Sequence, residues 1–188
     1  MEVVRCPWAK QEIELEYHDH EWGKPVYEDN KLFELLILEG MQAGLSWITI
    51  LNKRETMGKA FDGFDPQIIC NYDDKKKEDL LKDAGIIRNR RKIDALVGNA
   101  KAFLEIQKEF GSFRDYIWSF VDGKPMIHHV ERMEDVPVNN EISDTMSKDL
   151  KKRGFRFVGS TICYSFMQAA GLVNDHFINC SFRDSMDV

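Results

Sequence analysis

At 188 residues, the chain is long enough for one substantial core or two small lobes and too short for several independent domains. Hydrophobic residues make up 43% of it without any long charge-free apolar run, which excludes a membrane-spanning helix, since that needs about 20 mostly apolar residues. The start, MEVVRCPW, lacks the basic-then-apolar pattern of a secretory leader, so a cytoplasmic location is the default. A net charge of −6 argues against holding nucleic acid by charge alone. The distribution weakens that objection, because positive charge clusters at Arg88 to Lys92 and at Lys148 to Arg156. Either cluster is as readily a solvated face as a phosphate contact.

In chain order, a Lys24-Pro25 turn leads to Glu28-Asp29-Asn30, which signals a helix start. The run from Asn30 to Leu38 carries apolar residues at helical spacing on more than one face, so this helix is expected to be buried on most sides. Glu39 ends it, a carboxylate emerging from the core, followed by a small-residue turn and Trp47. A buried carboxylate must find donors or have its pKa raised; the plain alternative is that Glu39 pairs with local backbone or an arginine. Ser46 is placed as the cap of a helix from Trp47 to about Phe61. Phe64-Asp65-Pro66 breaks that helix. An amphipathic helix follows over Asp73 to Ala84, closed by Gly85, with Leu80 and Leu81 inward.

Ile86 to Arg90 reads as a short hairpin into a helix from Arg91 to Phe110, in which Ile93, Leu96, Val97, Ala100 and Phe103 keep helical spacing. Phe113 to Phe120 is an aromatic-rich short helix, read as core. Asp122 to Asn140, with two prolines and no period, is a long connection and the place for any hinge between lobes. Ser143 begins a helix closed by Gly154. A glycine-bearing hairpin over Phe155 to Gly159 follows, and Ser160 is expected to cap a helix from Thr161 to Ala170, closed by Gly171. Helix, hairpin, helix suits phosphate, because backbone N–H groups approach it and the second helix offers its positive dipole end. Any pair of antiparallel helices shares that outline.

Without a leader, the four cysteines are expected as reduced thiols. Cys163 and Cys70 lie in apolar surroundings and read as small core residues. Cys6 is followed by His18, and Cys180 stands four residues after His176, one helical turn apart. Two thiolates and two imidazoles would make a closed tetrahedral metal set, structural rather than catalytic, although the spacing is not that of a standard finger. A different reading sets His18 and His20 on one face of a strand, holding a catalytic metal with an open position.

Taken together, LEGMQAGLSW at Leu38 to Trp47, YHDHEWG at Tyr17 to Gly23 and KKRGFRFVGSTICYSFMQAAGLVNDH at Lys151 to His176 resemble the 3-methyladenine DNA glycosylase I family. The resemblance runs from Arg5 to Cys180. It implies an all-α, helix-hairpin-helix DNA glycosylase fold in one unit over residues 1–188. In that fold a structural zinc on Cys6, His18, His176 and Cys180 joins terminal segments of about 1–25 and 172–188. It implies a monofunctional, monomeric enzyme that extrudes an alkylated purine from double-stranded DNA and releases 3-methyladenine. Glu39 and Tyr17 would hydrogen-bond the base, and Trp8, Trp47 and Trp22 would face it. Arg153, Gly154, Val158, Gly159 and Ser160, with Gly44 and Leu45, would meet the DNA. Where relatives of the wider superfamily carry an aspartate after the hairpin, the resemblance places Asn174, a poor base at neutral pH. It also sets Glu14 where the family often has a tyrosine, with an expected change in pocket polarity. The rival readings are a zinc-stapled nucleic-acid-binding module without chemistry and a metal-dependent hydrolase built on His18 and His20.

Overall fold

The structure, a computed structural model, describes residues 2–184; the final four residues of the expected C-terminal segment 172–188 lie outside the described residues. It is built around α2 (Asp29–Gln42), whose residues from Leu32 to Met41 are buried save Glu34 and which packs against α3 (Trp47–Ala60), α6 (Arg90–Phe110), α7 (Phe113–Trp118) and α9 (Ser160–Ala169). A helix apolar on several faces must be covered on several faces, and that sets the arrangement of its neighbours. The helix runs a turn further than expected, so Glu39 lies inside it rather than at its end. Asp29 joins α2 to the end of α6 and the start of α7, accepting hydrogen bonds from Gln107 Nε2 and from the Phe113 and Arg114 amides at 2.6–2.8 Å.

Before α2 lies α1 (Glu12–His20), and after it α3 (Trp47–Ala60) begins at Ser46, whose hydroxyl accepts from the Thr49 amide. The Phe64-Asp65-Pro66 break is followed by a four-residue helix, α4 (Pro66–Ile69). The next helix, α5 (Asp74–Lys82), stops short of the expected end; Leu80 is buried and Leu81 half-buried. No hairpin precedes α6 (Arg90–Phe110), because Asn89 caps it directly through the Lys92 amide. The five apolar positions singled out in α6 are all buried, as a single-faced helical stripe requires. The aromatic segment forms α7 (Phe113–Trp118) and one tight turn; Phe113, Tyr116, Ile117 and Trp118 are core, Phe120 lies at the edge, and Arg114, Asp115 and Ser119 face solvent.

The connection over Asp122 to Asn140 is strapped rather than free. Within it β1 (Met126–Ile127) pairs in parallel with β2 (Val173–Asn174), and a further bridge joins Val130 to Phe177. These two short strands qualify the all-α expectation. Next comes α8 (Glu141–Lys152), capped by Asn140, and then α9 (Ser160–Ala169), packed on α8 and α2. Ser160 does not cap α9, since its hydroxyl donates to Asp144 Oδ1 at 2.5 Å and meets Ser143 Oγ at 2.9 Å; Gly159 holds the cap position. Gly171 does close α9, at φ +71°, with the Lys24-Pro25 backbone so near that an added Cβ would sit 2.3 Å from the Lys24 carbonyl carbon. The first and last described segments meet through Val4 and Ser181, which exchange two hydrogen bonds.

Candidate base-binding cavity and metal cluster

A cavity of about 230 Å³ opens between α1, the end of α2, the start of α3 and α9, lined by Trp8, Tyr17, Trp22, Glu39, Gln42 and Trp47 on one side. Asp175, Gln168, Ser165, Phe177, Met133 and Val136 complete the wall. Tyr17 and Trp47 meet at 5.3 Å between ring centroids and Trp8 and Trp22 at 5.0 Å, so the wall is largely aromatic. Four buried polar atoms among the described residues have no hydrogen-bond partner: Trp8 Nε1, Tyr17 Oη, Glu39 Oε2 and Trp47 Nε1. All four belong to this one cavity. Buried polar groups are ordinarily satisfied, and leaving one unpaired costs about 1–3 kcal/mol. Four of them converging on a single cavity, as donors and acceptors at the edge of aromatic faces, describe a site made for a flat polar ligand.

Glu39 is 3% exposed. Burial pushes its carboxyl pKa up to about 8, so the neutral acid prevails at pH 7. Burial, and then the neighbouring Glu39, likewise raise the Tyr17 phenol well above its usual range. The plain alternative for Glu39, a local pairing with an arginine, is not what the structure holds: the arginine of this region, Arg54, is bound to Glu21 and Glu34. Glu14 is not in the cavity wall. Its carboxylate accepts from the Lys10 and Gln11 amides and so caps α1, which removes the expected effect on pocket polarity.

Asn174 does not face the cavity. Its amide accepts from the His176 N–H and donates to the Arg183 carbonyl, so it is committed to the C-terminal turn. Its neighbour Asp175 lines the wall instead, a group not singled out from sequence. On an extended segment successive side chains point to opposite sides, so a shift of one residue changes which group reaches the site. The Asp175 carboxylate accepts from Tyr164 Oη at 2.6 Å, Gln168 Nε2 at 2.8 Å and His128 Nδ1 at 2.6 Å. Burial alone would raise its pKa, but these three donors more than offset that and lower it.

Behind the cavity, Cys6, His18, His176 and Cys180 are all buried and bring their ligand atoms within 4.8 Å of one another. The sulfur-to-nitrogen separations are 3.5 Å for Cys6–His176, 3.4 Å for Cys180–His176 and 3.6 Å for Cys180–His18. A tetrahedron with metal–sulfur bonds of about 2.3 Å and metal–nitrogen bonds of about 2.0–2.1 Å has such edges of roughly 3.5–3.6 Å. The donors therefore fit one zinc-sized ion. The outer ring nitrogens are also held: His18 Nδ1 bonds Asp19, itself gripped by Arg5, and His176 Nε2 bonds the Trp22 carbonyl. Such partners fix which nitrogen faces a metal. His20 is elsewhere, 63% exposed on α1 beside Glu16; two residues apart on a helix point to different faces, and the open-site reading with His18 fails.

The expected DNA-contacting positions divide. Leu45 is 41% exposed on the turn after α2, between cavity residues Gln42 and Trp47. Gly154 (φ +98°) and Gly159 shape the α8–α9 turn with no side chain in the way of an approaching group. Val158 is buried beneath it, its carbonyl accepting from Ser147. Arg153 is spent internally, paired with Glu109 and Asp149 and stacked over Phe110 and Tyr116. Lys151, Lys152 and Arg156 are exposed. In the other basic cluster, Lys92 is buried while Arg88, Arg90 and Arg91 face solvent.

Comparison with known proteins places the chain in a family. The family model for methyladenine glycosylase matches residues 8–184. DNA-3-methyladenine glycosylase 1 of Escherichia coli (strain K12) is 50% identical, over 95% of this chain and 96% of its own length. A crystal structure of 3-methyladenine DNA glycosylase I superposes with a TM-score of 0.92 at 50% identity, covering 95% of this chain and 98% of the other. A second, a variant of such an enzyme in complex with 3-methyladenine, has a TM-score of 0.91 at 38% identity, covering 93% and 94%. This chain belongs to the methyladenine glycosylase family.

Proposed function

We propose that the protein is a DNA-3-methyladenine glycosylase that takes an alkylated purine out of double-stranded DNA and hydrolyses its bond to the sugar. The observation that carries this reading is the convergence of four unpartnered polar atoms and five aromatic rings on one base-sized cavity. A relative of like structure is a complex with 3-methyladenine. Glu39 and Tyr17 recognise the hydrogen-bonding edge of the base, and Trp8, Trp47 and Trp22 supply the faces and the edge that enclose it. An electron-rich indole attracts a cationic ring, and a purine alkylated at N3 carries positive charge until it leaves.

That charge also sets the chemistry. As the glycosidic bond breaks, its electron pair moves onto the cationic purine, which departs neutral and leaves the positive charge on the sugar. Water adds to the sugar carbon and releases a proton to solvent. A leaving group activated by alkylation needs little further help, whereas a normal base, uncharged, would have to depart as an anion and is a poor leaving group. No lysine is among the cavity-lining residues, which supports a monofunctional enzyme without a Schiff-base step.

Around this centre, the α8–α9 turn with its exposed Lys151, Lys152 and Arg156 grips phosphates as a helix-hairpin-helix, and Leu45, with Gly44, enters the stack at the cavity rim. Arg153 serves by shaping that turn. Cys6, His18, His176 and Cys180 hold one structural zinc, which supplies cross-linking of the terminal segments and no reaction step. The chain works as one monomeric unit in the cytoplasm; among the described residues no helix is long and apolar enough to cross a membrane.

Incubating the protein with methylated DNA and resolving the released bases tests the proposal. Free 3-methyladenine is the expected product, with strand breaks appearing only after alkali. Tight DNA binding with no base released would instead favour a binding module.

A further inference from the structure

Two buried polar side chains of α6 are not part of the cavity, the metal cluster or the core, and each reaches a different DNA-facing turn. Lys92 is 6% exposed, and its ammonium donates to the Met41 and Ala43 carbonyls at 2.7 Å each, at the end of α2 and one residue before Gly44. Asn99 is 5% exposed and embraces the Arg156 backbone: Nδ2 donates to its carbonyl at 3.0 Å and Oδ1 accepts from its amide at 2.8 Å. Seven residues apart, the two lie on one face of the helix, two turns from each other. Between them α2 touches the hairpin directly. Gly40 packs on Phe157 so closely that an added Cβ would stand 3.3 Å from its carbonyl oxygen. The Lys92 ammonium also lies 6.0 Å from the Phe157 ring centroid, in a tight crevice shared with Ile37, Gly40 and Asn99.

We propose that Lys92 and Asn99 are positioning residues: α6 acts as a ruler that fixes the Gly44-Leu45 turn relative to the Gly154–Ser160 hairpin, so that both engage one DNA duplex at once. The inference rests on the reading of those turns as DNA contacts. A buried ammonium needs compensation, and among the described residues Lys92 finds it in two helix-end carbonyls, where the helix dipole is negative, and not in a carboxylate or in solvent. Its charge is thus used to hold backbone. Asn99 replaces a strand partner for Arg156, giving a lone hairpin residue the two bonds of a ladder. Phe157, next along, is thereby kept at φ +55°, a conformation unusual for a bulky residue. Two weak contacts joined rigidly reinforce each other, and the gain disappears when geometry forbids simultaneous engagement.

The test uses Asn99→Ala, Asn99→Asp and Lys92→Met in the full chain with methylated duplex, under single turnover. The enzyme concentration for half-maximal excision should rise roughly tenfold in Asn99→Ala and Lys92→Met as the two contacts uncouple, and by an intermediate factor in Asn99→Asp, which retains the acceptor for the Arg156 amide. Affinity for free 3-methyladenine should stay at the wild-type value, and so should the salt dependence of duplex binding. A Lys92→Met slope shallower by about 0.9, the amount for one phosphate contact, would overturn the proposal by making Lys92 a phosphate ligand. Unchanged half-saturation in folded variants would reduce both residues to stabilising ones, and an equal loss of free-base affinity would assign them to the pocket; either overturns it. Should Lys92→Met not fold, the two Asn99 variants decide the matter by the same criteria. A Leu45→Ala protein that binds duplex like wild type would instead sink the reading of the turns as DNA contacts, separately from the ruler.

Discussion

Glu39 places an acid with a pKa of about 8 at the floor of the cavity, and the sign of its effect on stability follows from linkage. Below the ordinary value of 4.5 the group is protonated in both folded and unfolded chains and its contribution is fully present. As pH rises past that value the unfolded chain ionises first, so folding loses about 1.4 kcal/mol per pH unit until the folded group itself ionises near 8. Glu39→Gln lacks this titration. In urea melts the variant should gain on wild type steadily between pH 5 and 8; parallel stabilities across that range would show that Glu39 is not held neutral. Binding should move the other way. At low pH the neutral acid is one acceptor and one donor, which the amide copies, whereas the ionised form accepts twice and the amide opposes one ligand donor. A mismatched polar pair costs on the order of 1–3 kcal/mol, so above pH 8 the variant's affinity for free 3-methyladenine should be tenfold to a hundredfold lower. Fluorescence titration with Trp8 and Trp47 as reporters would follow the gap, and a gap that narrows with pH would contradict the assignment. Glu39 was legible in sequence because an acid embedded in an apolar helix has few ways to be harmless. Asp175 was not, because its neighbour Asn174 is one residue away on the opposite side of a strand whose existence no period announces.

The helices α8 and α9 show why charge runs are hard to read at the level of an element. Their spacing, their closing glycines and the turn between them were visible, since apolar period and Gly position are local properties. Which of five basic residues faces solvent depends on what packs alongside, and Glu109 and Phe110 come from α6. Arg153→Gln should therefore act on the fold: loss of a partly exposed ion pair costs about 1 kcal/mol, read as a lower melting temperature, with no change in the salt slope of DNA binding. Lys152→Gln combined with Arg156→Gln should leave melting unchanged and flatten that slope. If instead Arg153→Gln alone flattens it, the guanidinium exchanges its carboxylates for phosphate on binding. The same limit explains the Ser160 error. A serine before an apolar run is a good cap candidate, but Asp144 on the preceding helix offers its hydroxyl a charged acceptor, and a charge-assisted bond outweighs a neutral cap.

Across the whole molecule, the residues proposed to hold zinc and the cavity residues are neighbours in the chain: Tyr17 precedes His18, Asp175 precedes His176, and the Trp22 ring packs 4.6 Å from that of His176. Losing the ion should therefore reach the cavity as well as the termini. Cys180→Ser is expected to lower the bound metal from one per chain, to lower the melting temperature, and to weaken free-base binding in the protein that remains folded. Full metal content and wild-type melting in that variant would remove the cluster's structural role. Sequence spacing alone left this group of four open, because Cys6 and His176 are 170 residues apart and only the folded chain shows that β1 and β2 strap the long connection down beside them.

The burial of Cys6 and Cys180 has a bearing on the conditions under which such an enzyme is needed. Alkylating electrophiles make the lesion, and thiolates are among the better nucleophiles they meet. Cys6, Cys180 and Cys163 are 1%, 6% and 0% exposed, while Cys70 is half-buried at the end of α4 with its thiol on the Gln67 carbonyl. Mass mapping after a limited dose of iodoacetamide should find the adduct on Cys70 first, with excision activity intact. Early labelling of Cys180, accompanied by metal release, would mean that the clasp opens in solution. A repair protein whose reactive sulfurs are enclosed in this way remains serviceable through the chemical exposure that creates its substrate.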